Sequence, residues 1–256
     1  VSSAARSGQA ASWRSTNSSL PSDSAWPSAS ATAAAVMSSS ERGASGARAT
    51  SSRKHTPPTA VACAGDVSDP ATAVKRARES NDQLAAAIAK APERLGAFAH
   101  LAVQDAKAAA DELERCVTQL GFHGAMVNGT CQDKFLDDPR YDTLLATAVK
   151  LDVPIYIHPS LAPEAVRQTY YSNLPGSAGV AIETAGWGWH SETAIHVLRL
   201  AYSGALDKHP KLKIVIGHMG EGLPAMLARI DDVSRPHVRH LKRKVSEAIL
   251  DQVWIT

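Results

Sequence analysis

The stretch Val153–His158 reads VPIYIH, a short apolar run that ends on a histidine. A second run, Lys211–Gly217 (KLKIVIG), is followed directly by His218. Short continuous apolar runs are typical of parallel strands covered on both faces, whereas strands with one wet face alternate apolar and polar residues. Because a segment with helical periodicity separates the two runs, the pattern predicts an α/β fold around a parallel sheet.

Further strands and helices are predicted on either side of these runs. The additional strands are Leu95–Leu101, Gly124–Asn128 and Val253–Thr256. The predicted helices are Ala71–Ala91, Asp105–Leu120, Asp138 with Pro139 to about Lys150, Ser191–Leu206, Leu223–Asp232 and Pro236–Leu250. The segment Tyr170–Trp189, rich in glycine, serine and aromatic residues, is predicted to be a loop. Five strands separated by helices indicate a (β/α)₈ TIM-type barrel that is incomplete, since such a barrel has eight strands.

Composition divides the chain into two parts. Residues 1–65 consist mainly of Ser, Ala, Arg and Thr and have no apolar periodicity. They are predicted to be a low-complexity segment, either disordered or non-native in origin, such as a shifted reading frame. A transit peptide is the remaining alternative. Residues 66–256 are predicted to form the barrel domain.

Charge and cysteine content exclude several classes of protein. The 27 Lys and Arg residues nearly balance the 25 Asp and Glu residues, which argues against nucleic-acid binding and against a polybasic membrane surface. No apolar run reaches the roughly 18 to 20 residues that a membrane helix needs. Cys63, Cys116 and Cys131 have no CxxC spacing, so reduced thiols in a cytoplasmic protein are expected.

The two histidines that follow strands are the main candidates for chemistry. In parallel barrels the catalytic groups project from the carboxyl ends of the strands, so His158 and His218 are expected at one mouth. An imidazole suits a divalent metal ion or a proton donor near neutral pH, although either histidine could also be a buried structural residue. Glu221 lies three residues after His218 and could orient its imidazole, or be a first-turn acid favoured by the helix dipole.

Four other residues are weaker candidates. Glu192 and His196 have i, i+4 spacing on a predicted helix and are interpreted mainly as helix surface or packing residues. Trp187 and Trp189 could line an aromatic pocket or anchor the predicted loop.

Four consecutive stretches of the chain resemble a known family. The stretches are ESNDQLAAAIAKAPERLGAFAHLAVQD, ELERCVTQLGFHGAMVNG, LDDPRYDTLLATAVKLDVPIYIHP and ETAIHVLRLAYSGALDKHPKLKIVIGHMGEGLPAMLARIDD. They resemble the amidohydrolase-2 family, and within it the γ-resorcylate and 2,3-dihydroxybenzoate decarboxylases, which are related to aminocarboxymuconate-semialdehyde decarboxylase. The resemblance extends over about residues 71–256.

This resemblance implies a function and a set of roles. The activity would be metal-dependent, non-oxidative decarboxylation of a small hydroxylated aromatic acid such as a dihydroxybenzoate. His158 would bind the metal, His218 would be catalytic and Glu221 would support it. Arg229 would reach the substrate of a neighbouring subunit in a homo-oligomer, either a dimer or a tetramer. The divalent metal would be zinc first and manganese second, and no organic cofactor is implied.

Two alternatives remain at this point. A hydrolase of the same superfamily would act on a lactone or an amide, and an inactive barrel fragment would have no turnover. The family begins with a Glu-x-His or His-x-His metal motif and takes its last ligand from an aspartate on strand eight. The first motif has no counterpart here, since His55 is the only histidine before His100, and the chain stops in what resembles strand seven. The five strands are therefore expected to correspond to strands three to seven.

Overall fold

The computed structural model describes residues 67–256, so the predicted low-complexity segment 1–65 lies outside the described residues. The helices of the described range are α1 (Pro70–Ile88), α2 (Ala106–Leu120), α3 (Asp142–Lys150), α4 (Glu164–Tyr170), α5 (Ala178–Glu183), α6 (Gly188–Tyr202), α7 (Ala205–Lys208), α8 (Leu223–Ser234) and α9 (Val245–Gln252). The strands are β1 (Ala99–His100), β2 (Ala125–Asn128), β3 (Ile155–His158), β4 (Ile214–Ile216) and β5 (Val253–Ile255). Single 3₁₀ turns cover Pro139–Tyr141 and His218–Gly220.

Aspartates cap the first helices at or near the predicted positions. Asp69 accepts a hydrogen bond from the Thr72 amide at 2.8 Å at the start of α1. Asp105 accepts one from the Ala108 amide at 3.0 Å at the start of α2. These bonds satisfy amides that have no partner within the helix.

The five strands form one parallel sheet in the order β1-β2-β3-β4-β5. The register aligns Ala125 with Ile155, Ile155 with Ile214, and Ile214 with Val253. The predicted α/β class, with five parallel strands and helices between them, is confirmed. The carboxyl ends of all five strands consequently lie on the same side of the sheet. This side is here called the sheet edge, as distinct from the lateral edge formed by β1.

The two faces of this sheet differ in burial. Ala99, Ile155, Ile157, Ile214 and Ile216 are almost inaccessible and pack with the helices in one hydrophobic core. On the opposite face, side chains of the same strands are only half-buried, and these are Met126, Tyr156, His158, Val215 and Trp254. The expectation of strands covered on both faces therefore does not hold within residues 67–256, because the described helices pack on one face.

A side chain of α1 covers the β1 edge of the sheet. Asn81 is completely buried. Its Oδ1 accepts from the His100 amide at 2.8 Å and its Nδ2 donates to the His100 carbonyl at 2.9 Å. Nδ2 also donates to Glu112 of α2 at 2.9 Å. The carboxamide thus pairs with the backbone as a neighbouring strand would, and it protects an edge that could otherwise recruit another chain.

The loop predicted for Tyr170–Trp189 is wrong in part, because α5 lies inside it and α6 begins at Gly188 rather than at Ser191. Its glycines allow close packing rather than flexibility. A Cβ on Gly186 would lie 2.4 Å from the Ala181 carbonyl oxygen, and one on Gly188 would lie 2.2 Å from that of Glu183. Composition cannot distinguish these two uses of glycine.

Other helix boundaries also differ from the predictions. The helix predicted to open at Asp138 and Pro139 begins at Asp142, after the 3₁₀ turn Pro139–Tyr141. The helix predicted to run to Leu206 is interrupted after Tyr202, where Gly204 adopts a φ of 81°. The last helix begins at Val245 rather than at Pro236. Asp207 accepts from the Lys242 amide at 2.8 Å and contacts Arg243 at 3.2 Å, so tertiary contacts hold the preceding segment outside the helix.

None of the helices in the described range is long and apolar enough to cross a membrane.

Replacing Asn81 with leucine should destabilise the fold by about 2 to 4 kcal/mol, because the partly buried His100 amide and carbonyl and the buried Glu112 would lose these partners. Urea unfolding of the full chain measures the loss. Gln83→Leu, on the exposed side of the same helix, is the control and should change the free energy of unfolding by about 0.5 kcal/mol or less. Equal stability of the two variants would show that Asn81 does not seal the edge.

Candidate active site

His158 is the last residue of β3, at the carboxyl edge of the sheet. Its Nδ1 lies 2.9 Å from the Pro159 carbonyl oxygen, and since a carbonyl only accepts, Nδ1 carries the hydrogen. Nε2 therefore presents a lone pair. Burial lowers the pKa of His158, the Pro159 hydrogen bond opposes this, and nearby His218 lowers the pKa further. The result is a neutral imidazole with one nitrogen available as a ligand.

The turn after β4 has an unusual backbone. His218, Met219 and Glu221 have φ values of 51°, 57° and 55°, in the left-handed region. Gly220 and Gly222 continue the series at 80° and 78°. Left-handed geometry costs about 1 to 2 kcal/mol for each residue with a Cβ. Three such residues within four positions form a strained turn of the kind that clusters at functional sites.

The surrounding structure holds this left-handed turn in place. The Gly220 amide donates to the Gly217 carbonyl at 3.0 Å, and the Met219 amide reaches the Thr256 carbonyl after β5 at 3.4 Å. A Cβ on Gly220 would lie 2.6 Å from Cδ1 of Ile255. The end of β5 thus fixes the turn, and the turn directs Glu221 back toward the sheet edge.

Glu221 is the centre of a three-residue group, here called the His190–Glu221–His218 cluster. The side chain of Glu221 is fully buried, with 0% exposure. Its Oε1 lies 2.8 Å from Nδ1 of His218, and its Oε2 lies 2.5 Å from Nδ1 of His190. The two imidazole rings meet edge to face, with centroids 5.0 Å apart. One buried carboxylate therefore bridges two histidines that belong to different elements.

The donor atoms of this cluster are spaced as hydrogen-bond partners rather than as ligands of one metal ion. One ligand atom of each residue lies within 4.8 Å of the others. Two ligands of one metal ion stand about 3 Å apart or more when the bonds are about 2.0 to 2.2 Å. The contacts of 2.5 and 2.8 Å to Glu221 are shorter, as hydrogen bonds are. His158 fits a metal ligand better, because the Pro159 carbonyl holds its Nδ1 and leaves Nε2 available.

The two predicted histidines therefore lie at one sheet edge, whereas the other candidates have separate positions. Arg229 is exposed on α8 and is not part of the cluster. Glu192 and His196 are buried in α6, consistent with a packing role. Trp187 is 57% exposed, while Trp189 is half-buried. His190 was missed by sequence reasoning, because it lies between the loop predicted to end at Trp189 and the helix predicted to begin at Ser191, and no spacing links it to Glu221.

A cleft of about 280 Å³ lies at α4 and α5 but is not lined by the cluster or by His158. Its walls include Arg167, which already contacts Glu164 at 2.8 Å and Glu183 at 2.6 Å. We therefore assign the candidate site to the sheet edge, where groups with acid-base and ligand chemistry converge.

Comparison with known proteins shows which family the chain resembles. A family model described as Amidohydrolase matches residues 40–243. Decarboxylase orsB of Emericella nidulans is 42% identical over 187 residues, covering 70% of this chain and 55% of the relative. Gamma-resorcylate decarboxylase of Rhodococcus jostii is 43% identical over 197 residues, covering 72% of this chain and 58% of the relative.

A crystal structure points the same way. The dihydroxybenzoic acid decarboxylase of a Polaromonas species, solved with manganese and the inhibitor 2-nitroresorcinol, has a TM-score of 0.69 and 37% identity, covering 75% of this chain and 59% of that one. The chain belongs to the amidohydrolase family, which confirms the resemblance drawn from its motifs. It spans 55% to 58% of the length of the two curated relatives described.

The pH dependence of stability should report on His196, whose Nε2 accepts from the Leu136 amide at 2.9 Å. Burial lowers the pKa of His196 from 6.5 to about 3, and Arg199 adds to the effect. Between these values the unfolded chain binds a proton that the folded chain does not, so stability falls as the pH falls. We expect this residue to cost about 2 kcal/mol of unfolding free energy between pH 7 and pH 5.

The control for this effect is His196→Gln, which offers an oxygen to the Leu136 amide but cannot be protonated in this range. Urea unfolding of both proteins at several pH values isolates the contribution of His196. If the two proteins have the same pH slope, the imidazole is not held neutral by burial.

Proposed function

We propose that the protein is a metal-dependent, non-oxidative decarboxylase of a hydroxylated aromatic acid such as a dihydroxybenzoate. The observation that carries this proposal is the geometry of His218. Its Nδ1 lies 2.8 Å from the buried Glu221 carboxylate, its Nε2 has no hydrogen bond within the described residues, and its side chain is 44% exposed. The decarboxylases among the relatives support the same chemistry.

Decarboxylation of an aromatic acid replaces a bond between ring carbon and carboxylate with a bond between ring carbon and hydrogen. A proton must reach the ring carbon, which becomes tetrahedral. The bond to the carboxylate then breaks, its electron pair restores the aromatic ring, and carbon dioxide leaves. In this proposal His218 delivers the proton from Nε2, since imidazole exchanges protons near neutral pH.

Glu221 supports this step by orienting the imidazole. Its Oε1 accepts the hydrogen of His218 Nδ1, which keeps Nε2 directed away from the carboxylate.

Aromatic side chains beside His158 fit a planar substrate. The ring of Tyr156 lies 6.4 Å from that of His158, and the ring of Phe98 lies 6.2 Å from that of Tyr156. These rings are half-buried and could pack against a benzoate ring in offset or edge-to-face geometry. We propose that they form one wall of the substrate site.

His158 is the proposed metal ligand of the described residues. A divalent cation bound there would supply Lewis-acid polarisation and a template for the carboxylate and hydroxyl oxygens of the substrate. Manganese is present in the Polaromonas relative, and imidazole also suits zinc. Manganese and zinc are therefore the cations to compare.

Arg229 is proposed to act between subunits. Its guanidinium is exposed on α8 and suits a carboxylate partner. In a homo-oligomer, a dimer or a tetramer, it would contact the substrate of the neighbouring protomer.

His218→Gln should lower kcat for carbon dioxide release by about 10²- to 10⁴-fold, the usual contribution of a general acid. The assay supplies 2,6- and 2,3-dihydroxybenzoate with manganese or zinc and measures released carbon dioxide. His240→Gln is the control, because His240 is exposed and bonds to the Tyr202 carbonyl. Hydrolysis of a lactone without carbon dioxide release would assign the protein to a hydrolase, and release unaffected by His218→Gln would exclude its role.

Replacing His158 with glutamine should lower the affinity for the metal at least about tenfold. Removing a residue that only orients a metal ligand already costs about 10- to 100-fold, so removing the ligand itself should cost no less. Elemental analysis of protein loaded with manganese or zinc and then desalted measures the bound metal per chain. His218→Gln should retain the metal. The opposite result, with loss in the His218 variant alone, would place the cation in the His190–Glu221–His218 cluster.

A further inference from the structure

His190 is held firmly in the first turn of α6. Gly188 packs so closely on the Glu183 carbonyl that a Cβ would lie 2.2 Å from the oxygen. This contact fixes the start of α6 against the end of α5. The imidazole of His190 is consequently placed by the backbone, and its side chain is only 25% exposed.

Both ring nitrogens of His190 face oxygen acceptors. Nε2 lies 3.0 Å from the Ala185 carbonyl oxygen and Nδ1 lies 2.5 Å from Oε2 of Glu221. The carbonyl can only accept, so Nε2 carries a hydrogen. A second hydrogen must lie between Nδ1 and Oε2, because two lone pairs at that distance would repel. His190 and Glu221 therefore share two hydrogens and form a neutral pair, as a buried carboxylate requires.

This pairing determines what remains for His218. With Oε2 held by His190, the carboxylate cannot rotate about its last bond, and Oε1 stays directed at Nδ1 of His218. His218 must then carry its hydrogen on Nδ1 and expose Nε2. If His190 were absent, Oε2 would be a fully buried oxygen without this donor, and the carboxylate would turn or take up a proton.

We propose that His190 is a positioning residue that acts through Glu221 to fix the tautomer and direction of the catalytic imidazole of His218. His190 also connects two distant parts of the chain, since the Ala185 carbonyl precedes α6 and Glu221 belongs to the turn after β4. A surface ion pair would contribute little. Because the Glu221 side chain is completely buried, its contact with His190 determines the geometry of the site.

Nitrogen NMR of the full chain labelled with ¹⁵N-histidine tests the proposal without requiring turnover. Removing each histidine in turn assigns the ring signals. In the unchanged chain the neutral form of His218 should carry its hydrogen on Nδ1, which leaves Nε2 to take up and deliver the proton. The amide nitrogen of asparagine lies about where Nδ1 of histidine lies, and that of glutamine about where Nε2 lies. His190→Asn should therefore preserve the His218 signals, whereas His190→Gln should give a mixture of tautomers or a doubly protonated ring.

His209→Asn is the matched control, because His209 pairs with the carboxylate of Asp142 at 2.8 Å away from the cluster and should leave His218 unchanged. His218 signals that are the same in the unchanged chain and in His190→Gln would overturn the proposal. So would loss of the folded state in both His190 variants, since that outcome makes His190 a structural residue. If the His218 signals are retained in His190→Asn and changed in His190→Gln, the positioning role of His190 is supported.

The effect on turnover rests on the proposed function. His190→Gln should lower kcat by about 10- to 100-fold with KM nearly unchanged, as expected for a residue that orients a catalytic group. His190→Asn should recover most of this loss. If the unchanged chain releases no carbon dioxide from any acid tested, the proposed function fails, while the NMR comparison still decides the role of His190.

Discussion

Parallel pairing of β3 with β4 is the constraint on which the site depends. In a parallel sheet both strands run in the same direction, so both carboxyl ends lie on one edge. The register between Ile157 and Ile216 therefore brings the end of β3, with His158, next to the turn that follows β4. His158 and His218, about sixty residues apart in the chain, therefore become neighbours in the fold, and no loop has to enclose the site.

The left-handed turn after β4 gives this edge its chemistry. An ordinary helical start at His218 would direct the following carboxylate along the helix. Instead, positive φ values from His218 to Gly222 fold Glu221 back to a buried position between two imidazoles. The conformational cost is offset by contacts with the end of β5 and by the hydrogen bonds of the carboxylate. The strained turn, the burial of Glu221 and the hydrogen bonds of its carboxylate therefore depend on one another.

The candidate site is built from short segments attached to the parallel sheet. The first turn of α6 supplies His190, the β4 turn supplies His218 and Glu221, and β3 itself supplies His158. Each is anchored by buried strands, which is how (β/α) enzymes separate stability from chemistry. The chain spans little more than half of the length of these two curated relatives, and its described residues hold the His190–Glu221–His218 cluster and one candidate metal ligand.

The sequence alone determined the class of fold and most of the elements, because the apolar runs VPIYIH and KLKIVIG and the helical periodicity between the strands are local signals. It also singled out His158, His218 and Glu221 through strand ends and family motifs. The tertiary structure decided the rest. Helices α4 and α5 are too short to have a periodic signal, and glycines that suggested a loop serve close packing. His190 became visible only in three dimensions, since its partner Glu221 lies in another element and is reached through the register of a parallel sheet.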